Sequence, residues 1–151
     1  MKLTVDTQEL NAVLAVASKA LSAKSTVSIL EGIYMAAENG ELLLRCTDMS
    51  LQIEATIGAN VEKGGACVLP GRLFADLARK LPGEETSFTL EKSSMLVESG
   101  RATTTMQTEN AKDYISMPEV HKEFSLTISK PALKNMIRQS IFATAQDDSK
   151  P

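Results

Sequence analysis

Side chains that commonly carry chemistry are scarce in this chain of 151 residues, which contains one histidine, two cysteines and no tryptophan. A catalytic triad needs a histidine base held beside a nucleophile, and the lone His121 lies in a polar segment between predicted elements. A closed metal site needs several ligands, which one histidine and two separated cysteines do not supply. We therefore predict a non-catalytic protein with no metal and no cofactor.

The two cysteines and the paired carboxylates also have simple structural interpretations. Cys46 and Cys67 lie in predicted strands without CxxC spacing, which favours two buried free thiols over a disulfide. The adjacent pairs Glu84-Glu85 and Asp147-Asp148 fall in predicted loops, where solvation explains them better than a catalytic pairing.

Long apolar runs and nucleotide-binding motifs are absent as well. No stretch approaches the roughly 20 apolar residues that span a bilayer, so no membrane partner is predicted. The N-terminus enters an alternating strand at once, without the regions of a signal peptide, and the expected compartment is therefore the cytosol. Neither GxGxxG nor a P-loop occurs. With two tyrosines and four phenylalanines, the chain offers little for stacking on single-stranded bases.

A strand-and-helix pattern is present instead, and it occurs three times. In GACVLPGRLFADLARKL (residues 65–81), an apolar strand leads through Pro70-Gly71 into a helix with Leu73, Phe74, Leu77 and Leu81 on its apolar face. The N-terminal KLTVDTQELNAVLAVASKAL matches it at an offset of 63, which places Leu10 and Leu14 on Leu73 and Leu77. This alignment predicts that Leu73 and Leu77 are buried.

The third copy lies in FSLTISKPALKNMIRQSIF, at an offset of 60 from the second. Leu133 and Ile137 fall on the helical positions, and Leu126 and Ile128 fall in the preceding strand, with Ala66 and Val68 as their counterparts. A period of about 60 residues is longer than that of common solenoid repeats, so we interpret it as a duplicated supersecondary unit.

Three further strands are predicted after each of the first two helices. They cover residues 33–37, 42–47, 51–57, 87–90, 95–98 and 102–107. Asp6 followed by Glu9 predicts a capping-box-like start to the first helix. Asn39-Gly40 suits a tight hairpin, and Pro82-Gly83 is expected to end the second helix near Leu81. Each unit therefore reads βαβββ. We predict an α+β fold of duplicated βαβββ units, with two helices on largely antiparallel curved sheets and a partial third unit.

A domain boundary is predicted near residue 120. The segment ENAKDYISMPEVHKE (residues 109–123) is polar and has no sustained periodicity, which is typical of a linker. Residues 1–120 are thus predicted to form a first domain of two units, and residues 121–151 a linker and the incomplete start of a second domain.

Charge differs between the helices and the rest of the chain, whose net charge is -3. The predicted helical segments 7–21, 70–81 and 129–145 carry two acidic residues and seven basic ones. The basic residues are Lys19, Arg72, Arg79, Lys80, Lys130, Lys134 and Arg138. One interpretation is that they simply cover the solvent faces of amphipathic helices. Because no cluster of Asn, Gln and Arg has recognition-helix spacing, the alternative is a surface for the duplex DNA backbone, bound without regard to sequence.

Several stretches resemble a known family. MKLTVDTQEL, SILEGIYMAAENGELLLRCTDMSLQIEA, LPGRLFADLARKLP and the later SGR resemble the bacterial sliding clamp, the beta subunit of DNA polymerase III. The resemblance implies a processivity factor that encircles duplex DNA as a ring of two subunits with three domains each. This chain would be the first domain and the opening of the second. DNA polymerase III and the clamp loader would bind between the second and third domains, in a pocket that lies outside it.

The resemblance also implies roles for individual residues. Lys24 falls in a loop with a basic DNA contact, Arg72 matches a basic residue of the inner helix, and Gln146 matches a polar residue of a DNA-facing loop. The candidate DNA-binding set is completed by Lys19, Arg79, Lys80, Lys134 and Arg138. The strand beginning SGR corresponds to the face that pairs with the second clamp subunit, which nominates Arg101 and Met106 for the dimer interface.

A rival interpretation is a small dimeric α+β ligand-binding module whose basic residues merely keep it soluble, and an enzyme is a third. An enclosed pocket would favour the ligand-binding module, whereas a clamp fragment should show only shallow grooves. Helices of both units lying side by side, with Lys19, Arg72 and Arg79 on one concave surface, would favour the clamp.

Overall fold

The computed structural model describes residues 1–22, 25–115 and 123–144, and it divides into two compact units, Met1–Met117 and Pro118–Pro151. The helices of the first unit are α1 (Thr7–Ala17) and α2 (Gly71–Ala78). Its strands are β1 (Lys2–Asp6), β2 (Gly32–Glu38), β3 (Glu41–Thr47), β4 (Gln52–Gly58), β5 (Asn60–Lys63), β6 (Gly65–Pro70), β7 (Glu85–Glu91), β8 (Ser94–Ser99) and β9 (Ala102–Gln107). The helix of the second unit is α3 (Lys130–Ser140). That these units are a first clamp domain and the start of a second stays a prediction.

The strands of the first unit form two antiparallel sheets. Sheet A has the order β5-β1-β7-β8-β9, and sheet B has the order β4-β3-β2-β6. Asn39 and Gly40, with φ of 52° and 80°, form the tight turn between β2 and β3. The predicted α+β fold with largely antiparallel sheets is confirmed. The short strand β5 was not predicted.

The two βαβββ repeats exchange their opening strands. β1 belongs to the first repeat, yet it pairs with β7 of the second repeat from Lys2↔Thr89 to Asp6↔Glu85. β6 opens the second repeat and pairs with β2 of the first. Alternating hydrophobicity shows which face of a strand is buried but not which strand lies beside it, so the sequence did not predict this exchange.

The two repeats align one residue away from the predicted offset. α1 and α2 begin at residues 7 and 71, so the offset is 64 and not 63. Phe74 and Ala78 therefore take the places that the sequence assigned to leucines. Both are buried, as are Leu10 and Leu14 in α1. Leu73 is 59% exposed, so its predicted burial is wrong. Apolar residues at 73, 74 and 77 make a stripe wide enough to fit either alignment.

The same shift applies to β6, which opens the second repeat. Cys67 and Leu69 belong to the main core, which combines inward side chains from α1, α2 and both sheets, whereas Val68 belongs to a smaller second cluster. The predicted offset of 63 also aligns Leu3 and Val5 of β1 with Ala66 and Val68, and this alignment is therefore wrong. Cys46 and Cys67 are buried free thiols, as predicted. Burial raises the pKa of Cys46 to about 12 and that of Cys67 to about 11.

The start of α1 agrees with the prediction from the sequence, whereas the end of α2 differs from it. The Asp6 carboxylate accepts the main-chain N–H three residues on, at 2.8 Å, and so caps α1 as predicted. α2 ends at Ala78, followed by a tight turn in which the N–H of Lys80 donates to the carbonyl of Leu77 at 2.8 Å. The predicted end at Leu81 is therefore too late, because this turn closes the helix before Pro82 is reached.

The first half of the predicted linker is part of the fold. Residues 109–115, here called the strap, lie along β6. Glu109 and Val68 exchange two main-chain hydrogen bonds, of 2.9 and 3.0 Å. The linker prediction is thus wrong for the strap. The remaining residues, including His121, lie outside the described part of the chain.

Tyr114 anchors the strap on the face of sheet B that points away from the main core. Its ring centroid lies 5.4 Å from that of Tyr34, and its hydroxyl donates to the main-chain carbonyl of Arg45 at 3.3 Å. The Arg45 guanidinium lies 5.0 Å from the centre of the Tyr34 ring. Burial raises the pKa of Tyr114 to about 12. These contacts place a second small hydrophobic cluster on sheet B.

In the second unit, α3 begins after Ser129, whose hydroxyl accepts the Ala132 N–H at 3.4 Å. The strand predicted at Leu126 and Ile128 is not formed in the described residues 123–129. In the first unit the equivalent strands pair with a different repeat, and the described residues of the second unit contain no strand that could serve in this way. The large apolar residues of α3 and its following turn, Leu133, Met136, Ile137, Ile141 and Phe142, are 44% to 84% exposed.

Candidate nucleic-acid interface

The helices of the two repeats lie side by side. The side-chain amide of Asn11 in α1 donates to the carbonyl of Thr7 in its own helix at 3.0 Å and to the carbonyl of Ala78 at the end of α2 at 3.1 Å. The Ala78 carbonyl also accepts the main-chain N–H of Leu81 at 3.3 Å, so the Asn11 amide is a second donor to this carbonyl at the C-terminus of α2. This contact ties the middle of α1 to the end of α2.

Of the two helices of the first unit, α2 together with the turn after it has more basic residues, with Arg72 in the helix and Arg79 and Lys80 in the turn. Arg72, Arg79 and Lys80 are all exposed. Arg79 forms an ion pair with Asp76 one turn earlier, and both side chains remain more than 60% exposed. Exposed pairs of this kind contribute little stability. Arg79 therefore loses little by exchanging Asp76 for another anion.

The corresponding side of α1 is nearly neutral. At an offset of 64, the counterparts of the exposed residues Arg72, Asp76, Arg79 and Lys80 are Gln8, Ala12, Ala15 and Val16. Lys19 is exposed in the short turn that follows α1, and Glu9 is exposed in its first turn. The sequence analysis counted the basic residues of the predicted helical segments together. In the first unit, more of them lie in α2 and the turn after it than in α1 and the turn after that helix.

Arg72 lines a surface groove of about 360 Å³ beside the start of α2. The groove is also lined by Ser22 and Ser28, which flank the loop that contains Lys24. Lys24 itself lies outside the described residues. The fold therefore brings Arg72 and both ends of the Lys24 loop to one place, although the two segments are far apart in sequence.

Two carboxylates share this groove, and neither was predicted from the sequence. Glu31 lines it and also accepts the main-chain N–H of Ser25 at 3.1 Å, which holds the end of the Lys24 loop. Glu109 reaches the groove because the strap pairs with β6. A long-range pairing of this kind leaves no local pattern, so no signal in the sequence marks Glu109. The groove combines both signs of charge.

The remaining predicted DNA-binding residues belong to the second unit. Lys134 and Arg138 are exposed on α3, one helical turn apart. Gln146 lies outside the described residues. Because these residues belong to the second unit, their inclusion in one binding surface with α2 stays a prediction.

The predicted dimer-interface residues lie at the edge of sheet A. β9 is the last strand of that sheet, and Arg101 is exposed in the turn that leads into it. Met106 is buried in the main core at 3% exposure. Its side chain is therefore not available to a partner, which corrects that part of the prediction. Only the main chain of β9 and the side chain of Arg101 remain as candidates.

The cavities of the described residues are open grooves with mixed or polar linings. One of them, of about 550 Å³, is lined by small residues and by Glu84, Glu85 and Glu98. These grooves lack the enclosed, mainly apolar character of small-molecule sites. The described residues contain no cluster of three or more potential metal ligands. None of the helices in the described part has the length and apolar character needed to cross a membrane.

A family model described as DNA polymerase III beta subunit, N-terminal domain, matches residues 1–118. The chain belongs to this family. The match confirms the resemblance inferred from the sequence. It also includes the strap, in agreement with the packing of Tyr114 onto the domain.

Proteins named beta sliding clamp are similar to this chain. The Staphylococcus epidermidis protein is 34% identical over 142 residues, covering 88% of this chain and 38% of the relative. The Staphylococcus aureus protein is 32% identical over the same shares. This chain therefore spans about two fifths of the length of the curated relatives it matches.

Several solved structures are similar to this chain in fold. The DNA polymerase sliding clamp of Bacillus subtilis matches with a TM-score of 0.95 and 26% identity, covering 100% of this chain and 42% of that one. A putative DNA polymerase III beta subunit of Eubacterium rectale matches with a TM-score of 0.93 and 30% identity, covering 99% and 41%.

Proposed function

We propose that this chain is part of a DNA sliding clamp, a non-catalytic accessory subunit that keeps DNA polymerase III on duplex DNA during replication. The observation that carries the proposal is the family match over residues 1–118. The adjacent helices α1 and α2, with exposed bases on α2, provide physical support. In the complete protein, a ring of two subunits would encircle the duplex.

The proposed contact is with the sugar-phosphate backbone. Lys24, Arg72 and Lys80 would each neutralise a phosphate and release condensed counterions. Arg79 would exchange Asp76 for a phosphate, and Lys19 would extend the surface beyond the end of α1. A clamp must move along DNA of any sequence, and phosphate contacts carry no sequence information. Lys134, Arg138 and Gln146 would add contacts from the second unit.

The proposed protein partner of the first unit is the second clamp subunit. The exposed edge of β9 has unpaired main-chain groups, and such an edge can accept a strand from another subunit. We assign this role to the β9 main chain, with Arg101 at its start, facing the second clamp subunit. DNA polymerase III and the clamp loader would bind parts of the complete protein that lie outside this chain.

Salt dependence of duplex binding tests the proposal. Fluorescence anisotropy with a labelled duplex should show weak, sequence-independent binding, with Kd no tighter than ~10⁻⁴ to 10⁻⁶ M at physiological salt. Arg72→Ala and Lys80→Ala should each reduce the slope of log K against log salt by roughly one unit. Lys63→Ala is the matched control, because Lys63 is an exposed base on strand β5 rather than on a helix.

Two results would contradict the proposal. One is binding that persists at high salt or prefers one sequence, since backbone contact alone explains neither. The other is an equal loss of slope for Lys63→Ala and Arg72→Ala, which would mean that any surface base contributes and that α2 has no special role.

A further inference from the structure

The first unit is built from two halves that hold each other through exchanged strands. The first half is residues 1–63, and the second half is residues 65–115. β1 of the first half pairs with β7 of the second, and β6 of the second pairs with β2 of the first. Neither sheet is complete without a strand from the other half. The two halves are therefore held together by both sheets and by the contact between α1 and α2.

The covalent connection between the halves is short and conformationally restricted. β5 ends at Lys63 in sheet A, and β6 begins at Gly65 in sheet B, so one residue carries the chain from one sheet to the other. Gly65 has a φ of 155°, which other residues rarely adopt. A Cβ at this position would lie 3.1 Å from the Cβ of Met1. Short hinges under strain favour the exchange of elements between copies of a protein.

We propose that two copies of this chain can exchange halves about Gly64 and Gly65 to form an intertwined dimer. In that dimer β1 of one copy pairs with β7 of the other, and β2 pairs with β6 in the same way. All the contacts between halves are rebuilt, and only the hinge changes conformation. The partner is a second copy of this chain, and the proposal is independent of what the chain binds.

Concentration during folding decides between the two forms. In the monomer, the second half is covalently held beside the first, so its effective concentration is high. Folding at micromolar concentration should therefore give monomers. Refolding at high concentration should give some exchanged dimer, which persists because separation requires both sheets to open.

A pair of engineered cysteines distinguishes the exchanged dimer from any other dimer. Thr4 in β1 and Ser87 in β7 are directly opposite, with their hydroxyl oxygens 3.2 Å apart, and a non-strained disulfide fits between such neighbouring strands. Full-length Thr4→Cys and Ser87→Cys chains with different tags are unfolded, mixed, refolded at high concentration and oxidised. An intermolecular disulfide joining the two tags is expected on a non-reducing gel.

The controls isolate the exchange from other causes of cross-linking. Each variant refolded alone should form far less disulfide, because the matched cysteine is absent. The two variants mixed without unfolding should also remain unlinked. Association through any other surface would not bring residue 4 of one copy against residue 87 of another, so a dimer in sedimentation without this disulfide overturns the proposal.

Changes at the hinge should shift the dimer fraction in opposite directions. Gly65→Ala strains the closed hinge and should raise the ratio of linked dimer to monomer by roughly tenfold or more. Insertion of Gly-Gly-Ser after Gly64 relaxes the hinge and should lower the ratio below that of the parent. Gly58→Ala is the matched control, because a Cβ there meets no atom within 4 Å. Two results would refute the role of the hinge. One is a ratio that neither hinge change alters, and the other is a chain with the insertion that dimerises as readily as the parent.

Discussion

Replacing Phe74 and Leu73 separately provides a sharp test of how the second repeat is packed. Phe74 is fully buried, and its ring meets that of Phe88 edge-on, with centroids 5.9 Å apart. Phe74→Ala should reduce the free energy of unfolding by roughly 3 to 5 kcal/mol, since it removes a buried ring and leaves a cavity. A domain is stable by only about 5 to 15 kcal/mol, so this loss is a large share of the total.

Leu73 is the matched neighbour, one residue away and also apolar. It is 59% exposed, so only about two fifths of its side chain is removed from water. Full burial of a leucine is worth ~1.5 to 3 kcal/mol. Leu73→Ala should therefore cost about 1 kcal/mol or less. Urea denaturation followed by circular dichroism measures both values, with Phe74→Leu as a milder variant in case the alanine variant does not fold.

The two costs depend on which alignment of the repeats is correct. With an offset of 64, Phe74 takes the core position of Leu10, and its replacement dominates. With an offset of 63, Leu73 would take that position. A loss for Leu73→Ala equal to or larger than that for Phe74→Ala or Phe74→Leu would refute the packing described for α2.

Three further local features can be tested: the N-cap of α1, the packing of the strap and the burial of the two cysteines. Asp6→Ala removes the N-cap of α1 and should cost about 1 kcal/mol in urea denaturation, whereas Asp6→Asn should cost less; equal losses would contradict capping. Tyr114→Phe removes the hydrogen bond to Arg45 and should cost ~1 kcal/mol, and unchanged hydrogen exchange along β6 in Tyr114→Ala would argue against a packed strap. Cys46 and Cys67 should resist iodoacetamide at pH 8 in the folded state and react once unfolded. Since burial raises their pKa values above the ordinary 9.0, stability should fall as pH rises from about 9 towards 11, and constant stability over that range would contradict their burial.

The sequence predicted local features well because they leave local patterns. The hairpin at Asn39-Gly40, the capping of α1 by Asp6 and the burial of both cysteines depend on residues close together in the chain. The alignment of the second repeat failed because residues 73, 74 and 77 are all apolar, so two registers one residue apart fit equally well. The exchange of the opening strands was not predicted for a different reason. The paired residues are 79 to 87 positions apart for β1 and β7 and 28 to 38 apart for β2 and β6, and pairing over such separations leaves no periodic signal.

The candidate site also combines features that the sequence could predict with features that it could not. The basic character of α2 could be read from composition and position, whereas the assignment of Lys24 and Arg72 to one surface came from the family resemblance. The groove that joins Arg72 to the Lys24 loop, and the carboxylate of Glu109 within it, depend on tertiary packing. The burial of Met106 could have been anticipated, because in β9 it is a large apolar residue in a run of threonines.

The exchange of opening strands has a consequence for how the protein is made. β1 leaves the ribosome first, but its pairing with β7 runs from Lys2↔Thr89 to Asp6↔Glu85, so it waits for more than 80 residues to be added. At roughly 5 to 20 residues per second, that interval is about 4 to 17 s. Such non-local pairing also slows folding itself. The N-terminal strand can pair with β5 once residues 60–63 have been added, but its other edge stays open until β7 has been made. Folding of the first unit is therefore completed only after most of it has been synthesised.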